Sequence, residues 1–327
     1  MATQVLCLRD EQDFTEVGVS FPPELEMKFL TTGEREDIME ALRAVDVLLV
    51  SSHRPKLTHD LIEAASGLKL IQFTGAGYDT VDPALCRQKG ISVANSPGAN
   101  ARSVAEYALM SMLMLNRRVL ALDSALKQDK YQEARDKAYR EVNAEMSGCQ
   151  VGIVGLGRIG REVAKMCKSL DATIYYYDIR RLPEEQETAL AAHYLPLPSL
   201  LARVDIVTVH CPLNEATTDM IAWPELQTLK PSAVVVNGSR GGIINEEDLA
   251  RALTRGEIAG AAVDAFVEEP LPHGHPYLCL PAEVQHNLIL SPHMAGATSS
   301  ARRGMLQEAL INITRLTQGS EPLHIVN

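Results

Sequence analysis

Apolar and polar positions alternate along the first hundred residues in two periods. The runs Val5–Leu8, Glu26–Leu30, Val45–Val50, Leu68–Phe73 and Ile91–Ala94 are short, β-branched or aliphatic, and predict strands. Between them Glu34–Arg43, Thr58–Ala65 and Pro83–Gln88 carry helical spacing. Strands alternating with helices predict a parallel sheet covered on both faces. The turn-rich stretch Asn95-Ser96-Pro97-Gly98-Ala99-Asn100 then breaks the pattern and is the expected hinge. From Ala101 to about Gln128 apolar residues come nearly all round, at Val104, Ala105, Tyr107–Met110 and Met112–Leu115. One long helix is expected there, buried on more than one face as core or subunit interface.

After Asp129–Gly148, to which the pattern assigns no element, a second αβ series starts at Cys149. Its strands are Val151–Val154, Thr173–Tyr177, Ile206–His210, Ala233–Asn237, Ala259–Val263 and Leu288–Leu290. Its helices are Arg161–Leu170 and, about, Ser199–Arg203, Trp223–Leu229 and Asn245–Thr254. The series predicts a second doubly wound sheet. Thr298 to Gln318 reads as one last helix ended by Gly319.

The first strand of the second series runs into Gly155-Leu156-Gly157-Arg158-Ile159-Gly160. In a dinucleotide site Gly155 permits the sharp strand-to-helix turn and Gly157 lets the backbone approach a pyrophosphate. Gly160 lets the helix pack close to the strand, and the N–H groups of the helix N-terminus hold the phosphates. A bare glycine pattern can be a plain turn. Here a strand precedes it, a helix follows, and an acid, Asp178, ends the next strand at about the 20-residue spacing of a ribose-binding carboxylate. The Asp178 charge favours NAD over NADP. Arg180 and Arg181, just past it, are either solvated charges or partners for a 2′-phosphate.

With 327 residues, 46% of them hydrophobic, the chain is long enough for two globular domains. The net charge of −11 and the lack of any Lys/Arg-rich tract argue against nucleic acid as a partner. Met1–Asp10 lacks the pattern of a signal peptide, and Ala108–Leu115 falls far short of the ~20 apolar residues that span a membrane. The six cysteines are scattered, without a C-x-x-C pair, as expected for reduced thiols in a cytoplasmic protein. His273 and His275 lack a third ligand and are expected to be surface-loop histidines, so no metal is expected.

Strand ends of the second series carry the candidate chemistry. They are His210-Cys211-Pro212-Leu213, Asn237-Gly238-Ser239-Arg240-Gly241, Asp264 to Pro270, and Ser291-Pro292-His293-Met294-Ala295-Gly296. Reduction of a ketone leaves an alkoxide, so a proton donor working near neutral pH is required, and His293 suits. Glu269 is the carboxylate assigned to its other ring nitrogen. Arg240 offers a planar fork for a substrate carboxylate. Asp264 is placed either to hold the nicotinamide amide or to steady nearby polar groups. Taken singly, each has an ordinary structural alternative: a surface arginine, a loop acid, a core or helix-capping histidine. In the first series Gly75-Ala76-Gly77 follows a strand, where open N–H groups suit a carboxylate; a plain turn before Pro83 is the alternative.

These stretches, in this order, together with Gly75-Ala76-Gly77-Tyr78-Asp79 and Asn95-x-Pro97-Gly98-x-Asn100-x-x-x-Val104-Ala105-Glu106, resemble the D-isomer-specific 2-hydroxyacid dehydrogenases. The resemblance runs from about residue 45 to the C-terminus. It implies an α/β fold in which a Rossmann NAD-binding domain, 98–295, is inserted into a flavodoxin-like substrate domain, 1–97 plus 296–327. It implies Arg240, Glu269 and His293 as the catalytic trio; the family's acid stands five residues after its Asp, which selects Glu269 over Glu268. Cofactor contacts are implied at Val104, Gly155, Gly157, Arg158, Ile159, Gly160, Asp178, His210, Cys211, Pro212, Thr217, Gly238, Ser239, Arg240, Asp264, His293, Ala295 and Gly296. Substrate contacts are implied at Gly75, Ala76, Gly77, Asn100, Arg240 and His293, with His53 and Arg54 as further candidates or exposed loop residues. A homodimer through the cofactor domain is also implied.

The chain also departs from the family pattern. Phe73 stands where phosphoglycerate-oxidising relatives carry an arginine, so a phosphorylated substrate is not expected, nor is the regulatory domain common in many of those relatives. Formate dehydrogenases carry Gln where Glu269 stands. Asn245 replaces the family's Asp and is expected to cap a helix. The expected activity is hydride transfer between NAD(H) and a small 2-keto or D-2-hydroxy acid. The alternatives are a dinucleotide-sensing scaffold, like the corepressors related to this family, and a dehydrogenase of an unusual acid.

Overall fold

A computed structural model describes residues 2–31, 34–51, 55–140 and 144–327. His53 and Arg54 lie outside the described residues. The chain forms two compact units, Met1–Asn100 with Ala297–Asn327, and Ala101–Gly296.

The first unit is built on a sheet of parallel strands β1 (Thr3–Cys7), β2 (Leu25–Phe29), β3 (Val47–Val50), β4 (Leu70–Phe73) and β5 (Ser92–Ala94). Their order is β2-β1-β3-β4-β5, the flavodoxin-like arrangement. Every residue of β3 and β4 is buried. This explains why β3 is wholly apolar and β4 apolar but for Gln72: helices cover both faces, so neither face needs polar residues. One face packs on Ile38, Leu42, Leu61 and Ile62. The other packs on Phe14 and on the last helix, Ser299–Thr317, through Leu306, Ala309, Leu310 and Ile313. The buried Gln72 of β4 is satisfied: it donates to Phe73 O at 2.8 Å and accepts from Asn312 Nδ2 at 3.0 Å.

The second unit carries β6 (Gln150–Val154), β7 (Thr173–Tyr177), β8 (Ala192–Tyr194), β9 (Ile206–Val209), β10 (Val234–Asn237), β11 (Gly260–Val263) and β12 (Leu288–Leu290). The order is β12-β11-β10-β9-β6-β7-β8, all pairs parallel. The chain winds outward from β6 through β7 on one side and through β9 on the other. This reversal is the topological switch point at which a dinucleotide-binding fold binds its ligand.

Several features depart from the sequence reading. The helix Glu184–Leu190 and the strand Ala192–Tyr194 lie where the pattern assigns no element. The segment Ala101 to Gln128 is two helices, Ala101–Asn116 and Val119–Lys127, broken at Arg118 with φ +51°. The break, Asn116-Arg117-Arg118, contains neither Gly nor Pro, and apolar residues resume at Val119, so the pattern carries no stop. The stretch read as lacking an element contains the helix Tyr131–Arg140. Only Ala134 of that helix is buried, so it has no apolar stripe to reveal it.

Helix Arg158–Lys168 packs on β6 so closely that a Cβ on Gly160 would stand 2.2 Å from Gly155 O. Gly160→Ala must therefore push the helix off the strand. The expected cost is about 2 kcal/mol, or about 4–8 °C in Tm for a unit of this size, read by thermal unfolding. An unchanged Tm would show that the helix can shift freely.

Candidate active site

At the end of β6 the chain turns at Gly155 with φ +92°. A Cβ there would meet Cys211 N at 2.7 Å and the His210 carbonyl carbon at 2.8 Å, so only glycine fits against the loop that follows β9. Gly157 is the N-cap of helix Arg158–Lys168, with no side-chain cap, and a Cβ on it would meet nothing within 4 Å. An uncapped helix N-terminus facing open space at a strand end fits a pyrophosphate. Asp178 closes the same site. Its carboxylate accepts Leu156 N–H at 2.8 Å and Arg180 N–H at 3.2 Å, which leaves lone pairs for ribose hydroxyls. Arg181 is committed elsewhere: two hydrogen bonds of 2.9 Å join its guanidinium to Glu187, whose carboxyl is held at about 2 by that pairing and by Tyr176.

On the other side of the switch point Val104, Tyr107 and Ala295 form a small apolar cluster with Ile159 against it. Gly238 lies beside the cluster, its missing Cβ 3.8 Å from both Val104 and Tyr107. Thr217 serves its own loop, accepting Asn214 N–H at 2.8 Å and donating to Pro212 O at 2.7 Å. Ser239 leans on Asn237 Oδ1, and Asn237 Nδ2 donates to Arg240 O at 2.9 Å, so β10 ends in a self-bonded loop that presents Arg240. A Cβ on Gly241 would lie 2.0 Å from the Phe266 carbonyl carbon. The Arg240 loop thus rests directly on the backbone of the loop that carries Glu269.

Glu269 and His293 meet. His293 Nδ1 lies 2.9 and 3.0 Å from the two Glu269 oxygens, and Glu269 Oε1 also accepts Phe266 N–H at 3.0 Å. A carboxylate only accepts, so Nδ1 carries the proton that it donates, which puts Nε2 on the opposite side of the ring. Side-chain exposures of 21% for His293 and 30% for Glu269 leave the pair within reach of a small ligand. His210, at the end of β9, differs. Burial pushes its imidazole down to about 3, so it is neutral; Nε2 meets Thr208 Oγ1 at 2.8 Å, and Nδ1 is buried with no partner among the described residues.

Asp264 is nearly wholly buried, at 1% exposure. Its carboxylate accepts the Ser291 hydroxyl at 2.5 Å, Met294 N–H at 2.9 Å and Ala295 N–H at 2.8 Å. Of the two roles open in the sequence, steadying nearby polar groups is the one these bonds perform. His275 is a correction. It is not a surface-loop histidine but 6% exposed, with Nε2 at 2.9 Å from Glu246 Oε2. Glu246 Oε1 also accepts Val267 N–H at 2.9 Å, so the pair anchors the loop bearing Glu269. The sequence reading missed Tyr107, Ser291, Glu246 and His275 as members of this network. Each supports another site residue from a different strand or helix, and spacing along the chain gives no signal of that.

In the first unit, Gly75-Ala76-Gly77 follows β4 at the sheet's carboxyl edge. The Gly75 carbonyl accepts Ser96 N–H at 3.0 Å and the Ala76 carbonyl accepts Asn95 Nδ2 at 2.6 Å. These two carbonyls are taken, while among the described residues the N–H groups of Gly75, Ala76 and Gly77 meet no acceptor. Asn100 lies in the turn that ends the first stretch of this unit.

Residues 109–295 match the family model described as "D-isomer specific 2-hydroxyacid dehydrogenase, NAD binding domain". A glyoxylate reductase of Thermofilum pendens is 34% identical over 293 residues, covering 90% of this chain and 84% of that one. A hydroxypyruvate reductase of Thermotoga maritima is 34% identical over 270 residues, covering 83% and 84%. The crystal structure of a glyoxylate reductase from Paecilomyes thermophila superposes with a TM-score of 0.84 at 26% identity, covering 99% of this chain and 98% of that one. The chain belongs to the D-isomer-specific 2-hydroxyacid dehydrogenases and is an oxidoreductase that interconverts 2-keto and 2-hydroxy acids with a nicotinamide dinucleotide.

Proposed function

We propose that the protein reduces a small 2-keto acid of the glyoxylate or hydroxypyruvate type to its D-2-hydroxy acid, with NADH as donor. The observation that carries this reading is the His293–Glu269 pair, a proton donor fixed by a carboxylate at the strand ends that also present Arg240. When bound, the nicotinamide supplies the hydride. As the new C–H bond forms, the carbonyl electron pair moves to oxygen, and His293 Nε2 gives that oxygen its proton while Glu269 stabilises the ring. Arg240 takes the substrate carboxylate. Within the first unit, the N–H groups of Gly75–Gly77, which meet no acceptor among the described residues, suit a carboxylate. Val104, Ile159 and Ala295 provide an apolar wall for the nicotinamide face, and Gly157 a bare path for the pyrophosphate. Asp178, with Arg181 held on Glu187, supports NAD over NADP.

The relatives' names and the intact Arg240, Glu269 and His293 set favour turnover over a dinucleotide-sensing scaffold. The outward apolar residues Met110, Leu113, Val119, Leu126, Tyr131 and Tyr139 support a homodimer through the second unit. No helix among the described residues is long and apolar enough to cross a membrane. Six unpaired thiols support a cytoplasmic location.

Loss of NADH absorbance should be fast with glyoxylate or hydroxypyruvate and slower with NADPH; turnover with no 2-keto acid at all would sink the substrate reading. His293→Ala should lower kcat by about a hundredfold or more while NADH affinity, read by fluorescence titration, changes little; equal loss of both would remove its role as proton donor. Gly157→Ala should leave Tm unchanged, because its Cβ meets no protein atom, yet weaken NADH binding by about tenfold or more through contact with the pyrophosphate; unchanged affinity would place the phosphates elsewhere. Light scattering should give twice the monomer mass; a monomer at micromolar concentration would overturn the dimer.

A further inference from the structure

Helix Ala101–Asn116 brings Tyr107 to the strand end that carries His293. The phenol is buried, and its oxygen lies 2.6 Å from Ser291 Oγ, which in turn lies 2.5 Å from Asp264 Oδ1. A serine hydroxyl has one proton, and a carboxylate can only accept. Ser291 therefore donates to Asp264, and Tyr107 must donate to Ser291. Burial pushes the Tyr107 phenol upward, which keeps its proton in place.

The chain of donors ends on the residue that shapes the His293 turn. Asp264 O accepts His293 N–H at 2.8 Å, and its carboxylate accepts the next two amides, Met294 and Ala295. Three consecutive N–H groups thus converge on one aspartate. They hold His293 at φ +54°, a left-handed backbone uncommon for a residue with a side chain. The ring orientation toward Glu269 follows from that backbone.

We propose that Tyr107 and Ser291 are positioning residues for the reduction: the directed chain Tyr107 to Ser291 to Asp264 orients the Asp264 carboxylate, which locks the left-handed turn and so aims His293. The inference rests on the reading of His293 as proton donor. Neither residue needs to touch substrate. The Tyr107 ring also belongs to the apolar cluster with Val104 and Ala295, a packing role that phenylalanine preserves.

The test uses the full-length protein, NADH and glyoxylate, with hydrogen exchange of the 291–296 segment as a readout independent of turnover. Ser291→Ala should lower kcat by about tenfold, the rate equivalent of a hydrogen bond to a charged group, and Tyr107→Phe by about threefold, with NADH affinity within about twofold of the parent. Ser291→Thr, which keeps the hydroxyl, should restore most of the loss. The double variant Tyr107→Phe/Ser291→Ala should be no slower than Ser291→Ala alone, because Tyr107 acts only through Ser291. Exchange at the Met294 and Ala295 amides should rise in Ser291→Ala. Unchanged exchange overturns the lock whatever the activity. Faster exchange with unchanged kcat, or losses that multiply in the double variant, overturns the positioning role. If the parent protein reduces no 2-keto acid, it is the proton-donor reading that fails, and exchange still decides the lock.

Discussion

Parallel strands leave all their carboxyl ends on one edge, and the site depends on how closely the loops at that edge can approach one another. Three contacts bring them together. Gly155 rests on the His210–Cys211 backbone, joining the ends of β6 and β9, and Gly241 rests on Phe266 and Val267, joining those of β10 and β11. Asp264 binds Ser291, Met294 and Ala295, joining β11 and β12. Two of these contacts are possible only because a side chain is missing, and the third is a buried carboxylate satisfied by neighbouring donors. With the loops fixed in this way, arginine, glutamate and histidine from different parts of the sequence occupy one edge.

Electrostatics then separates residues that look alike in sequence. His210 and His293 both stand at strand ends. Enclosure holds the first neutral, so it has no proton to give near neutral pH, whereas the second has a carboxylate on Nδ1. Arg180 and Arg181 are neighbours just past Asp178. Glu187 takes the guanidinium of Arg181 in two hydrogen bonds, while Arg180 contributes its backbone N–H to Asp178. The partner and the enclosure that each side chain meets decide between the members of these pairs, which is how a fold assigns different work to the same side chain.

All the strands but β8 were legible because buried parallel strands are written as largely apolar runs, whereas β8, Ala192-His193-Tyr194, is short and only partly buried. The dinucleotide loop was legible because its glycines answer local demands. Gly155 needs a left-handed turn, Gly160 a close helix, and Asn245 does cap its helix, accepting Asp248 N–H at 3.0 Å. Where the physics is not local, the pattern gave no sign. The break at Arg118 has no breaker residue, and the helix Tyr131–Arg140 has no apolar stripe. His275 sits between a glycine and a proline, the composition of an exposed loop, and is buried only because Glu246 from another element reaches it. Tyr107 falls within a run of apolar residues, so its hydroxyl was hidden by the company it keeps.

The Asp264 carboxylate has more acceptor capacity than its structural bonds use. A carboxylate has about four acceptor positions. Ser291 and Met294 occupy Oδ1 and Ala295 occupies Oδ2, so capacity for one further donor is left on Oδ2. The two roles open in the sequence, steadying the protein and holding a nicotinamide amide, therefore do not exclude each other. They are unequal, however. The three bonds come from the chain's own groups, so the turn bearing His293 is restrained from within the protein. A further donor from the cofactor would meet a carboxylate already oriented. A turn that carries its own restraint meets the general condition for preorganisation, in which the cost of ordering is not charged to binding.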